Sequence, residues 1–253
     1  EGELQEVDNE RMCWGNPCGE GPAQDLPDDL GGAKVEAVSA AGSLSGSVSK
    51  ITTKDGQTLF HKPARGDEAA LEHAVSDLAG MAGVGVPRSK AATVGGKAGV
   101  MSQWVDGKSA EKDPKGFHDA VAADHHAASK LAMFNFVSGA EDRHSGNYQV
   151  SGGKVVSMDH ADSLGVKSPK DAARLMGQDE LLGAMEKSQG GGDVKLHPEA
   201  VKEMAAAVKP MADHLRSKGM AKEADALEAR GAVIQKLAAD PEPTEGKLKR
   251  IVG

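Results

Sequence analysis

The apolar pattern of this sequence changes period once, near residue 107, and that switch leaves few architectures open. Before it, the stretches 34–39, 46–53 and 57–62 are short, alternating or β-branched, and are broken by Gly42, Gly46 and an Asp55-Gly56 turn signal. Such spacing predicts an antiparallel meander. A helical stripe of Ala69, Leu71, Val75, Leu78 and Ala79 follows over 66–82, ended by Val86-Pro87. Stretches 90–94 and 98–105 then read as a strand pair around Gly95-Gly96. After Asp106-Gly107 the period becomes helical: 114–137 in one piece or two, then helices over 168–239 broken at 190–192 and at Lys218-Gly219. Between them lie a loop over 138–146 and two short strands, 148–150 and 154–158, around Gly152-Gly153. The expectation is an α+β protein with two lobes, strand-rich over 33–106 and helical over 107–240. Residues 1–32, polar and rich in Gly and Pro, read as a flexible arm, and 241–253 as a frayed tail.

Composition narrows the function. Aromatic residues make up only 3% of the chain, so the core is expected to rest on Ala, Val, Leu and Met. A net charge of −8 argues against a general nucleic-acid or anionic-membrane binder, which carries a basic face. No apolar run approaches the roughly 20 residues that span a bilayer, and nothing at the start reads as a secretory signal. The two cysteines, Cys13 and Cys18, fall in the arm with no second ligand pair for zinc, and the rest of the chain has none. The sequence opens on Glu1 rather than Met, which fits a chain processed or cut from a longer polypeptide. The expected setting is cytoplasmic, or host cytoplasm or virion for a phage product.

The chemistry concentrates in Phe134–Asp162, FNFVSGAEDRHSGNYQVSGGKVVSMDHAD. Transfer of a phosphoryl group from a nucleotide to a hydroxyl needs a carboxylate at the acceptor and oxygen ligands that hold Mg²⁺ on the phosphates. Asp142 is placed for the first task, and Asn147 and Asp159 supply oxygens for the second. A loop followed by a hairpin can bring all three to one cleft edge. The competing reading of such a loop is local turn bonding, which Asn and Asp favour.

The D-R-H-x-x-N run at Asp142–Asn147, followed by Met158-Asp159-His160, resembles the catalytic and metal-binding loops of the phosphatidylinositol 3/4-kinase-like superfamily. It is similar also to HipA-type toxin kinases and actin-fragmin kinases. The resemblance implies a two-lobed protein-kinase-like fold that uses ATP and Mg²⁺. By it, Asp142 acts on the acceptor hydroxyl, His144 assists, Arg143 braces the loop, and Asn147 and Asp159 bind magnesium. It departs after Asp159, where His160-Ala161-Asp162 replaces the more usual Phe-Gly, so Asp162 is a rival metal ligand. Lys62, in TLFHKP, matches the phosphate-binding lysine, and Glu72 its helical partner, with Glu68 competing one turn away. The loop holding Gly42 and Gly46 stands where a phosphate-covering loop would be, an ordinary hairpin turn being the plainer reading. Residues 101–107, with Gln103 and Val105, stand where a hinge would bond adenine; Trp104 reads as core packing in preference to pocket lining.

Elsewhere the plain readings hold. His125-His126 lacks the carboxylate spacing of a zinc-protease helix, and Met204, Met211 and Met220 read as packing. The function expected is ATP-dependent phosphorylation of a hydroxyl, on a protein in preference to a small molecule. A lipid kinase is disfavoured by the acidic charge, and an AMP-transferase can use the same scaffold. The alternative of another class is a non-catalytic kinase-like module in a larger assembly, such as a virion or toxin component.

Overall fold

Five of the short apolar runs pair into one antiparallel sheet in a computed structural model that describes residues 26–27, 29–38, 48–165 and 167–253. Cys13, Cys18 and the loop holding Gly42 and Gly46 lie outside the described residues. The strands are β1 (Lys34–Val38), β2 (Val48–Thr52), β3 (Thr58–Pro63), β4 (Ser89–Val94) and β5 (Lys97–Gln103), in the order β1-β2-β3-β5-β4. Helix α1 (Gly66–Ala82) connects β3 to β4. Period-2 alternation gives the sheet two faces. Ile51, Leu59 and Met101, with Val94, form a small core of their own on one face, and Leu26, Leu30 and Ala33 pack against it. The last residues of the expected arm are therefore part of this lobe: two leucines in a polar stretch carry too little periodicity to show it in the sequence. On the other face the register sets Lys50 opposite Phe60, Phe60 opposite Ser102, and Lys62 opposite Val100.

Residues 104–107 link this sheet to a second, three-stranded one, β6-β7-β8, made of β6 (Lys108–Ser109), β7 (Tyr148–Ser151) and β8 (Lys154–Ser157). The two-residue β6 is too short to carry a pattern. The long helical stretch divides into α2 (Pro114–Ala123) and α3 (His125–Ser138), because Asp124 leaves helical geometry and its carboxylate caps the amide of Ala127. Helices α4 (Pro169–Met176), α5 (Glu180–Ser188), α6 (Pro198–Ser217), α7 (Ala221–Ala238) and α8 (Glu245–Val252) complete the second lobe. The last of these corrects the frayed tail expected over 241–253. Thr244 caps α8, Leu248 is fully buried, and residues 195 and 196 bridge to Thr244 and Pro243. Among the described residues no helix is long and apolar enough to cross a membrane.

One large core joins α2 to α8, and the buried face of α1 belongs to it: Val75, Leu78 and Ala79 share a cluster with Met211 and Leu215 of α6. Asp77 adds a polar tie, accepting from His214 Nε2 at 3.0 Å and facing Lys218 Nζ at 3.3 Å. The helix after β3 thus packs with the larger lobe, while the sheet keeps its own small core. The larger lobe's core is as poor in aromatics as the composition requires, with Phe117, Phe134, Phe136 and Tyr148 set among aliphatic and methionine side chains.

The pair α6 and α7 approach closely at Gly231, where a β-carbon would stand 2.2 Å from Val208 Cγ1. Gly231→Ala is expected to cost about 1–3 kcal/mol through overpacking, more than its gain in helix propensity returns. A lower urea midpoint at unchanged m-value would display it; a midpoint at or above that of the wild type would refute it.

Candidate active site

Three parts of the chain are brought together by the contact of Lys62 with Asp159 and the charges around it: β3, α1 and the segment from the end of α3 to Asp159. The loop after α3 is built on Arg143. Its guanidinium is buried and donates to the backbone oxygens of Asp159 (2.9 Å), Met158 (3.0 Å) and Asn147 (3.2 Å), and to Ser157 Oγ (2.5 Å). Charge-assisted bonds to several carbonyls at once fix the loop and the strand end in one geometry. Arg143 also lies over the Tyr148 ring.

Beneath it is a buried polar knot that sequence reasoning missed. Asp179 accepts from Tyr148 Oη (2.6 Å), Asn135 Nδ2 (2.9 Å) and the amide of Leu181 (2.9 Å), and the amide of Glu180 donates to the Arg143 carbonyl (3.1 Å). Burial raises the Asp179 carboxyl above its ordinary range, and the bonds from Tyr148, Asn135 and Leu181 pull it back. An acidic residue just before the apolar Leu181-Leu182 pair was the available signal, since that is a helix-cap pattern.

On this base stand the loop residues. Asp142 and Asp159 both have φ of +52°, a conformation uncommon outside glycine and most accessible to Asn and Asp. Backbone strain of this kind clusters at functional sites. Asn147 Nδ2 donates to the Asp142 carbonyl at 2.6 Å, which leaves its Oδ1 as an acceptor. His144 Nδ1 accepts from the amide of Gly146 at 2.9 Å, so its proton is on Nε2, 3.8 Å from Asp142 Oδ2. Asp142 and Asp159 are exposed, and so is Asp162 in the turn beyond. His160 is buried and edge-on to Phe134, a packing residue.

Across the cleft, Lys62 of β3 reaches Asp159, Nζ to Oδ2 at 2.7 Å, over a sequence separation of 97 residues. The expected partner was Glu72. It lies close enough for its charge to act on both groups, but the ion pair is to Asp159; Glu68, the rival, is occupied by Arg65. The difference follows from packing, because α1 is held by the large core and fixes Glu72 at a distance the β3 side chain does not close. Burial works against the Lys62 ammonium, yet its bond to Asp159 and the charges of Asp159, Glu72 and Glu68 hold its pKa above the usual value. Of the hinge residues, the Gln103 amide donates to the Arg88 carbonyl within the sheet, whereas Val105 lies beyond the end of β5.

Burial, and then the charge of Asp159, push the Glu72 carboxyl up to about 7, against the pull of Lys62 and Arg143. The protonated form is therefore favoured by the fold. The associated stability is complete below an unfolded pKa of about 4.5 and lost as pH rises through about 7. Glu72→Gln should remove that loss. Its unfolding free energy from urea titration is expected to match the wild type near pH 4.5 and exceed it at pH 8, by on the order of 2 kcal/mol after allowing for partial solvent access. Parallel pH profiles would contradict the assignment.

Asn147 Oδ1 and the Asp159 carboxylate are hard oxygen donors of the type Mg²⁺ takes. Among the described residues no three His, Asp or Glu side chains gather as a self-sufficient metal centre.

No protein-family model and no curated protein matches the sequence. Among solved structures the chain is similar to CtkA, a proinflammatory kinase of Helicobacter pylori, with a TM-score of 0.50 and 9% identity over 87% of this chain and 96% of that one. It is also similar to the kinase domain of maize SIRK1, a sucrose-induced receptor kinase, bound to AMP-PNP, at 12% identity over 90% of this chain and 95% of that one. That second TM-score, 0.34, is too low to bear on the fold. With the first, the architecture is a two-lobed, protein-kinase-like α+β fold.

Proposed function

We propose that this chain transfers the γ-phosphoryl group of ATP to a hydroxyl acceptor on a protein, as an atypical kinase with the motif order of the phosphatidylinositol 3/4-kinase-like and HipA-type enzymes. The observation that carries this reading is the 2.7 Å contact between Lys62 and Asp159, which brings a cation of one lobe to a carboxylate of the other. Glu72 is coupled by charge to both groups, and Arg143 ties the Asn147 carbonyl to that of Asp159.

In this reading Lys62, its ammonium kept charged chiefly by Asp159, donates to phosphate oxygens. Asp142, exposed and close to His144, orients the acceptor hydroxyl and takes up its proton. Asn147 and Asp159 would hold magnesium, which supplies charge neutralisation on the phosphates when bound. Arg143 and the Asp179 knot keep the loop in place, so no reorganisation of the loop is needed at the moment of transfer.

The test is incubation of the protein with Mg-ATP and a mixed protein acceptor, followed by intact-mass measurement of acceptor and enzyme. A gain of one phosphate supports the proposal. A gain of one AMP assigns adenylyl transfer to the scaffold instead. No modification, together with no rise in melting temperature at Mg-ATP well above millimolar, favours the non-catalytic module.

A further inference from the structure

We infer that the outer edge of β1 is an interface between two copies of this chain, paired antiparallel about Val35 so that the two five-stranded sheets become one. The inference concerns the far edge of the smaller lobe and goes beyond the phosphotransferase reading, on which it does not depend.

The first ground is an open edge. The strand order leaves β1 and β4 outermost, and among the described residues no strand lies beyond either. The start of β4 is tied to α1, where the Ser89 amide donates to Ser76 Oγ at 2.9 Å and the Ser89 carbonyl is 2.6 Å from His73 Nδ1. On β1, by contrast, Lys34, Val35 and Glu36 are all exposed. An edge strand turns a row of backbone donors and acceptors outward, which is a template for another strand.

The second ground is an apolar row that stops at this edge. Val35 opposes Ile51, and Ile51 opposes Leu59, the last two fully buried. Val35 is 50% exposed, and among the described residues Met81 is the other large apolar side chain left so open. A second Val35 set against the first continues the row into Ile51 and Leu59 of the second copy. Such cross-strand apolar pairs are what stabilise a sheet.

The third ground is charge. Read antiparallel against itself about Val35, the run Ala33-Lys34-Val35-Glu36-Ala37 sets alanine on alanine, lysine on glutamate and valine on valine. Centring the pair on Lys34 or on Glu36 instead puts like charges directly opposite, which is destabilising. Centring it between two residues puts a charge against Val35. One register is therefore selected. Within the chain Glu36 already opposes Lys50 and bonds to Lys34 at 2.8 Å. In the pair it lies between its own Lys50 and Lys34 of the second copy, so charge alternates across the joined strands. Edge charges of one sign keep partners away, whereas these complement a second copy of themselves.

The test is sedimentation equilibrium of the full chain at low salt. Strand addition draws its affinity from main-chain hydrogen bonds, and a five-residue pair is a small interface. The mass is therefore expected to rise from 26.1 kDa toward twice that between about 1 and about 200 μM. Glu36→Lys and Lys34→Glu should each weaken self-association by at least about 10-fold, because every charge at the edge then meets its like. An equimolar mixture of the two variants should dimerise again, since an all-lysine edge then faces an all-glutamate one. Unchanged far-ultraviolet circular dichroism shows that both variants keep the fold. A wild type that stays at 26.1 kDa throughout overturns the interface. So does a single variant that dimerises as well as the wild type, or a mixture that remains monomeric.

Discussion

Asp159→Asn is expected to lower Mg-ATP-dependent transfer by at least about 10²-fold, the usual scale for losing one strong electrostatic contributor in a transition state. Asparagine keeps the size of the side chain and tolerates the left-handed backbone that Asp159 adopts, so charge is the only large change. The backbone carbonyl of Asp159 stays with Arg143, which preserves the loop. Stability should move by no more than about 1 kcal/mol, because the carboxylate is 45% exposed and its pair with Lys62 is open to solvent screening. A second signature is independent of turnover. The Asp159 charge helps to raise the Glu72 carboxyl, so the pH dependence of stability assigned to Glu72 should weaken in this variant. Measured rates equal to wild type would remove Asp159 from the chemistry, whatever became of the pH profile.

The second large effect concerns stability. Asp179→Ala is expected to cost about 3–5 kcal/mol, a substantial fraction of what holds a domain folded. Its carboxylate is the common acceptor for the Tyr148 hydroxyl, the Asn135 amide and the Leu181 N–H, and all of these lie in the buried interior. Alanine leaves the Tyr148 hydroxyl, the Leu181 N–H and one of the two Asn135 amide hydrogens without an acceptor, the other staying on Tyr148 Oη, and each unsatisfied buried group carries its desolvation penalty. Asp179→Asn retains an acceptor oxygen and should cost less. The knot touches the site through the Glu180 amide on the Arg143 carbonyl and through Tyr148, the neighbour of Asn147. Loss of stability should therefore come with faster hydrogen exchange over 141–148. An alanine variant within about 1 kcal/mol of wild type by urea unfolding would show that the interior reorganises around the gap.

Local chemistry was legible at the level of elements. A stripe at 3.6-residue spacing located α1, Gly66–Ala82, and alternation with glycine breaks located the strands to within two residues or so. The Asp142, Asn147 and Asp159 positions stood out through the D-R-H-x-x-N run and Met158-Asp159-His160, since turn chemistry alone is equally met by local bonding. What stayed hidden was small or distant. The Leu26 and Leu30 contacts, β6 and α8 involve too few residues to make a period, and each forms because a larger surface is already there to receive it.

The sequence alone determined the period of each segment, its turns, and the order in which a lysine, a helical glutamate and three loop oxygens occur. Those are properties of neighbouring residues, and neighbour sterics and hydrophobic burial act on them directly. Tertiary structure decided which groups meet: that Lys62 faces Asp159, that α1 belongs to the larger core, and that Asp179 ties Tyr148 to the loop. Partners so far apart in the chain are chosen by strand register and by the packing of one lobe on the other, and no local pattern encodes either.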